Sequence, residues 1–258
     1  DAHEYERERF GLGRGLKWFI GTVERIGIPF AETVIAVSPS IVEEYKRLYN
    51  PKSIFLLRNT PHFNSINKHN VFREELKIRQ DQKIFLYQGG IVEGRGVEAL
   101  LDAFLLRTSD KAVLVVMGEG NKANRVKEAA EKSASIFYVR AVPYSQIMKY
   151  SSSADVGFNS VQNVCLSYYY CLPNKLFEYI QAGLPIVSNY LPDCKALIDT
   201  YNIGKVLPEY TPSAINAVVD EMLETDLSIY QSGLKLAGND LNWEKEEKQL
   251  DAIYAFLS

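Results

Sequence analysis

Charge of one sign, paired cysteines and long apolar runs are all missing from this chain, and each absence removes a class of function. Acidic and basic residues nearly balance, 32 against 29, for a net charge of −3. No overall basic character therefore points to nucleic acid. The three cysteines, Cys165, Cys171 and Cys194, are odd in number and lack CxxC spacing. That argues against a disulfide framework or a zinc site and for a reducing compartment, with each thiol read as a small apolar filler. No run of about 18 apolar residues occurs, so no transmembrane helix is expected, and no signal peptide is visible. A Walker Gly-Lys-Ser/Thr loop and a GxGxxG turn at a chain start are absent. So are an Asp-x-Asp motif, a His/Cys cluster, a solenoid repeat and a low-complexity tract.

What is present is an ordinary globular composition, 47% hydrophobic and 24% charged over 258 residues, enough for one large domain or up to two smaller ones. Short apolar strands alternate with amphipathic helices. Thr33–Ser38 reads as a strand, Ser38-Pro39-Ser40 as a helix start, Ile41–Tyr49 as the helix and Ile54–Leu57 as the next strand, a parallel βαβ unit. Residues 61–80 are polar and read as a linker. Strands are expected at 83–88, 112–117, 136–139, 154–158 and 186–188. Helices are expected at 97–106, 122–133, 144–151 and 193–200, and a tail helix with a Trp243 anchor runs to Leu257. The fold class is α/β, with doubly wound parallel sheets and right-handed crossovers.

Leu172-Pro173-Asn174-Lys175-Leu176-Phe177-Glu178-Tyr179-Ile180-Gln181-Ala182-Gly183-Leu184-Pro185-Ile186-Val187 carries the most information. Pro173 and Asn174 start a helix, Gly183 and Pro185 stop it, and a buried strand follows. Leu176, Phe177, Ile180 and Ala182 can face the core. Free N–H groups and a positive dipole end at Asn174-Lys175 suit a phosphate. Glu178, one turn in, is placed to take two ribose hydroxyls. The bland alternative is a core helix with one exposed Glu. A second candidate is Tyr87-Gln88-Gly89-Gly90-Ile91-Val92-Glu93-Gly94-Arg95-Gly96, where two glycines after a strand admit a ligand to the backbone and Arg95 offers a fork for a diphosphate. Alone it is as well read as a tight turn.

Taken together, these segments resemble the retaining glycosyltransferases of family 4, of GT-B architecture, over nearly all of the chain. The resemblance implies a remnant of the N-terminal acceptor-side domain at 1–65, a nucleotide-sugar-binding domain at 66–238, and a C-terminal helix at 239–258 packing back toward the N-terminal part. It implies transfer of a sugar from a UDP- or GDP-linked donor to a saccharide or lipid-linked acceptor hydroxyl with retention, in surface polysaccharide or glycolipid synthesis. No cofactor or metal is required in that scheme.

His3, in Asp1-Ala2-His3-Glu4, is carried over as the active-site histidine, with Arg95 and Lys175 as the groups stabilising the leaving diphosphate. Gly89, Gly90, Asn174, Lys175, Leu176 and Glu178 hold the nucleotide, and Gly118 and Val142 lie around its base. Two departures stand out. Gly90 occupies the place of one basic diphosphate contact, for which Lys175 is the partial substitute. Tyr170 stands where the first of two glutamates is usual; Tyr168, Tyr169 and Tyr170 read as interface aromatics.

Only the last part of a first domain precedes the linker, so a fragment with weak or no turnover of its own is expected. A non-catalytic nucleotide-sugar-binding module and a nucleotide-sugar epimerase of the same architecture are the alternatives. The resemblance places the protein in the cytoplasm, with the inner face of the cytoplasmic membrane as one setting. Arg7, Arg9, Arg14, Lys17 and Arg25 around Trp18, Phe19 and Ile20 fit a membrane surface, whereas Glu4, Glu6, Glu8 and Glu24 fit a solvated helix equally well. The oligomeric state stays open.

Overall fold

A computed structural model describes residues 8–257 of the chain. The helix α1 (Arg14–Gly27) and a 3-10 turn lead into strand β1 (Val34–Ala36), helix α2 (Pro39–Tyr49) and strand β2 (Ile54–Leu56). Strands β1 and β2 pair in parallel, as the strand–helix–strand pattern requires. Ala36, Ile41, Val42, Tyr45 and Tyr49 form a small core of their own. Glu24 turns inward to accept hydrogen bonds from the Tyr45 and Tyr49 hydroxyls. The outer face of α1 leaves Trp18, Phe19, Val23 and Ile26 exposed.

The second unit holds α3 (Val71–Leu76), β3 (Lys83–Gln88), α4 (Val97–Leu105), β4 (Ala112–Met117), α5 (Ala123–Lys132), β5 (Ile136–Val139), α6 (Tyr144–Ser151) and β6 (Val156–Asn159). It continues with α7 (Leu166–Tyr169), α8 (Asn174–Gln181), β7 (Ile186–Asn189), α9 (Pro192–Tyr201), β8 (Gly204–Leu207), α10 (Pro212–Glu224), α11 (Gln231–Asp240) and α12 (Trp243–Leu257). Six strands form one parallel sheet in the order β5-β4-β3-β6-β7-β8. Every residue of β4 is buried; a strand covered on both faces reads as an unbroken apolar run, as Ala112–Met117 does. The chain winds outward from β3 to β5, returns through α6, and winds outward again from β6. Strand order thus reverses between β3 and β6, the place where doubly wound sheets bind ligands.

The polar stretch 61–80 is more structured than its composition suggests. Val71 and Phe72 anchor α3 in the core. Asn64 donates its backbone N–H to the Gln181 carboxamide. Ile66 lies beneath Gly183, whose φ of +70° ends the helical segment and where a Cβ would stand 2.6 Å from Ile66. Asp155 is a structural tie, accepting hydrogen bonds from the Ile84 N–H and from Arg73.

Several bonds join the two units. Ser38 caps α2 by accepting the Ile41 N–H, and its hydroxyl donates to the Tyr170 carbonyl at 2.6 Å. Asp193, in the first turn of α9, accepts the Ser40 N–H and hydroxyl, both at 2.9 Å. Helix α12 returns to the smaller unit, where Glu246 accepts from the Arg58 backbone and guanidinium and Phe256 packs edge-on to Phe55. No helix among the described residues is long and apolar enough to cross a membrane.

Candidate active site

A cavity of about 570 Å³ opens at the carboxyl ends of the central strands, between the two units. Gln88, Gly89 and Gly90 line it from the end of β3, Met117, Gly118 and Glu119 from the end of β4, and Val142 from the loop after β5. Tyr168, Pro173, Asn174, Lys175 and Glu178 close the opposite wall, and Val37 and Ile41 of the smaller unit cover it. Arg95 also lines it. Within the larger unit, residues as far apart in sequence as Gln88 and Glu178 are gathered here because β3 and β6 are neighbours.

Helix α8 is seated by its apolar face. Leu176, Phe177, Tyr179 and Ile180 are fully buried, each such side chain contributing roughly 1.5–3 kcal/mol. The Tyr179 hydroxyl accepts the Gln88 N–H and reaches the carbonyls of Leu86 and Phe158, so α8 is pinned to β3 and β6 together. Pro173 offers the helix no side-chain cap, and the first N–H groups of a helix have no intrahelical acceptor. Its positive end therefore faces the cavity at Asn174 and Lys175.

Lys175 and Arg95 are the cations of this wall. The Lys175 Nζ is sealed from solvent and has no hydrogen-bond partner. It rests 3.9 Å from the centroid of the Tyr87 ring and 3.6 Å from where a Cβ on Gly89 would stand. Burial, reinforced by the Arg95 charge, pushes its pKa down to about 7. The Arg95 guanidinium lies over the Tyr168 ring at 4.6 Å, and Phe10 stacks on the other side chain of that pair, Tyr168, at 6.0 Å. No ion pair to a described residue holds Arg95.

Glu178 is buried, not exposed as in the plain core-helix reading. Its Oε2 accepts from Gln88 Nε2 at 2.5 Å, and Gln88 Oε1 accepts from Ser151 Oγ at 2.6 Å. Burial pushes its carboxyl pKa up, opposed by the Gln88 hydrogen bond and Lys175.

The glycine turn is built by close approach. A Cβ on Gly118 would stand 1.9 Å from the Gly89 carbonyl oxygen, so β4 can end against the turn only with glycine there. The Gly89 N–H is already donated to the Met117 carbonyl, leaving Gly90 as the residue of the pair whose N–H reaches no described acceptor. The Gly90 carbonyl accepts from the Tyr87 hydroxyl at 2.5 Å.

Of the residues singled out in the sequence, Gly89, Gly90, Arg95, Gly118, Val142, Asn174, Lys175 and Glu178 all line this one cavity. Leu176 does not: its side chain is in the core, and its N–H goes to the Pro173 carbonyl. His3 lies outside the described residues. Tyr170 faces the smaller unit's core, whereas Tyr168 supports Arg95. Sequence reasoning left Gln88 and Ser151 without a role, since only the fold brings them to Glu178. Cys171 borders the cavity with its thiol pKa pushed up to about 12 by burial. Among the described residues no group of three His, Cys, Asp or Glu side chains is arranged for a metal ion.

The family model described as glycosyl transferases group 1 matches residues 68–235. Among curated proteins, a probable glycosyltransferase of Pseudomonas aeruginosa, WbjE, is 25% identical over 151 residues, 57% of this chain and 37% of that protein. The chain thus spans little more than a third of that relative. Among solved structures, sucrose-phosphate synthase from Thermosynechococcus elongatus superposes with a TM-score of 0.76 at 19% identity, covering 93% of this chain and 62% of that one. Anabaena HepE, in complex with UDP and glucose, gives 0.73 at 12% identity, covering 91% and 67%. At such identities the two structures speak for the fold.

Proposed function

The chain belongs to the glycosyl transferases of group 1, and we propose that its cavity binds the nucleoside diphosphate part of a UDP- or GDP-sugar donor. The observation that carries this reading is the pair of cationic residues, Lys175 and Arg95, that line one cavity without an anionic hydrogen-bond partner among the described residues. A diphosphate supplies what they lack. In this reading Glu178 takes the ribose hydroxyls, and Gly118 and Val142 border the base.

Departure of the nucleoside diphosphate builds negative charge on its outer phosphoryl group. Arg95, Lys175, the Gly90 N–H and the amino end of α8 would stabilise that charge as it forms. Lys175 would turn its Nζ from the Tyr87 face toward the phosphoryl oxygens. The sugar would pass to a saccharide or lipid-linked acceptor hydroxyl with retention, as in family 4, in polysaccharide or glycolipid synthesis. Cations of the protein would do the work that a divalent ion does elsewhere. The UDP bound in Anabaena HepE, a protein of similar fold, is in keeping with such a donor.

Calorimetric titration with UDP, GDP and their sugar conjugates, with and without EDTA, tests the reading. Saturable binding of one nucleotide, unchanged by EDTA, is the expected result. Folded protein that binds neither would overturn it.

A further inference from the structure

We propose that Gln88 is a positioning residue that presents the Glu178 carboxylate to the ribose diol of the bound nucleotide. The inference rests on the donor-site reading of the cavity and extends it to how hydroxyl recognition is built.

Gln88 is the last residue of β3 and is 3% exposed. It is held at three points. Its backbone N–H donates to the Tyr179 hydroxyl at 3.1 Å, its Oε1 accepts from Ser151 Oγ, and its Nε2 donates to Glu178 Oε2. Each atom has one consistent role. Nε2 is the donor to Glu178 Oε2, so the amide turns its N–H₂ toward the carboxyl group. Its carbonyl then faces Ser151, which is fully buried and supplies an O–H.

The consequence concerns the other carboxylate oxygen. Glu178 Oε1 takes no hydrogen bond from any described residue, while Oε2 keeps a lone pair beside the Gln88 bond. Two adjacent hydroxyls on a five-membered ring can donate one bond to each oxygen, provided the carboxylate is ionised and its plane is set. A glutamate side chain has three rotors, and Gln88 fixes their outcome before the ligand arrives. Burial alone would favour the neutral acid; the Gln88 N–H favours the anion.

A residue that merely satisfies a buried acid would affect stability and leave ligand discrimination alone. The test is therefore a ratio: the affinity for UDP over that for 2′,3′-dideoxy-UDP, with the matching guanosine pair run beside it. Wild type is expected to favour the diol by about tenfold or more, the worth of two hydrogen bonds to a charged group. Gln88→Leu is expected to bring the ratio within about twofold, the ribose form weakening more than the dideoxy form. Ser151→Ala removes one hydroxyl and the amide's orientation; an intermediate ratio is expected, and this variant carries the test if Gln88→Leu does not fold. Wild-type ratios in both variants would overturn the role of Gln88 and leave the donor site standing. Wild-type protein that binds both forms equally would overturn the Glu178 assignment and this inference together.

Discussion

Lys175 holds its ammonium 3.9 Å from the centre of the Tyr87 ring, shut off from water and without a hydrogen-bond acceptor. A cation on an aromatic face gains about 0.5–2 kcal/mol, less than the several kcal/mol that effective desolvation of an ion costs. The imbalance shows as a pKa pushed down to about 7, and it makes the site sensitive to both protons and anions.

Stability of the ligand-free protein should carry that signature. The folded-state pKa of Lys175 is below its unfolded value of 10.5, so between about pH 7 and 10.5 the unfolded chain binds more protons and stability rises with pH. Below about 7 both states are charged and the penalty is fully present. Denaturant unfolding at pH 7 and pH 9 is expected to show a gain of roughly 1–2 kcal/mol in wild type. In Lys175→Met that gain should vanish, with higher stability than wild type at pH 7; identical pH profiles would contradict the argument.

Nucleotide binding should use the same group. A diphosphate favours the ammonium, so binding at pH 8 is expected to take up a fraction of a proton, read from calorimetry in buffers of different ionisation enthalpy. Lys175→Met should abolish the uptake and weaken nucleoside diphosphate binding about 10–100-fold, the cost of losing a charged hydrogen bond. Affinity for the unphosphorylated nucleoside should hold.

Tyr168 supports Arg95 by its ring face. Tyr168→Ala is expected to lower diphosphate affinity about 3–30-fold, and Tyr168→Phe to keep it, because the ring and not the hydroxyl meets the guanidinium. Equal losses in the two variants, measured in one titration series, would point instead to the hydroxyl.

At the seam between the units, Asp193 caps the amino end of α2 through Ser40. Asp193→Ala should lower unfolding stability by about 0.5–2 kcal/mol, the range for loss of a helix cap. An unchanged melting temperature would show that the contact adds nothing.

The parallel sheet and the run from Asn174 to Glu178 were readable in the sequence because each is local. An apolar strand such as Ala112–Met117 announces its own burial, and helix punctuation lies next to the helix it bounds. What stayed hidden depended on distance along the chain. Gln88 meets Ser151 and Glu178 across 63 and 90 positions, and nothing in a strand-ending glutamine marks it as the partner of a carboxylate. Tyr168 looked like its neighbours Tyr169 and Tyr170; only the fold separates the ring beneath Arg95 from one facing the smaller unit. Helix α3 was missed in the polar stretch 61–80 because two residues, Val71 and Phe72, do its packing. Strand β8 and helices α10 and α11 lie where no elements were assigned.

The most direct measurement is a crystal structure of the chain with whichever of UDP or GDP binds it more tightly. The account requires diphosphate oxygens within hydrogen-bond reach of Arg95 and Lys175, and both ribose hydroxyls on Glu178 with its bond to Gln88 intact. A nucleotide bound elsewhere, or one whose ribose leaves Glu178 untouched, would contradict it.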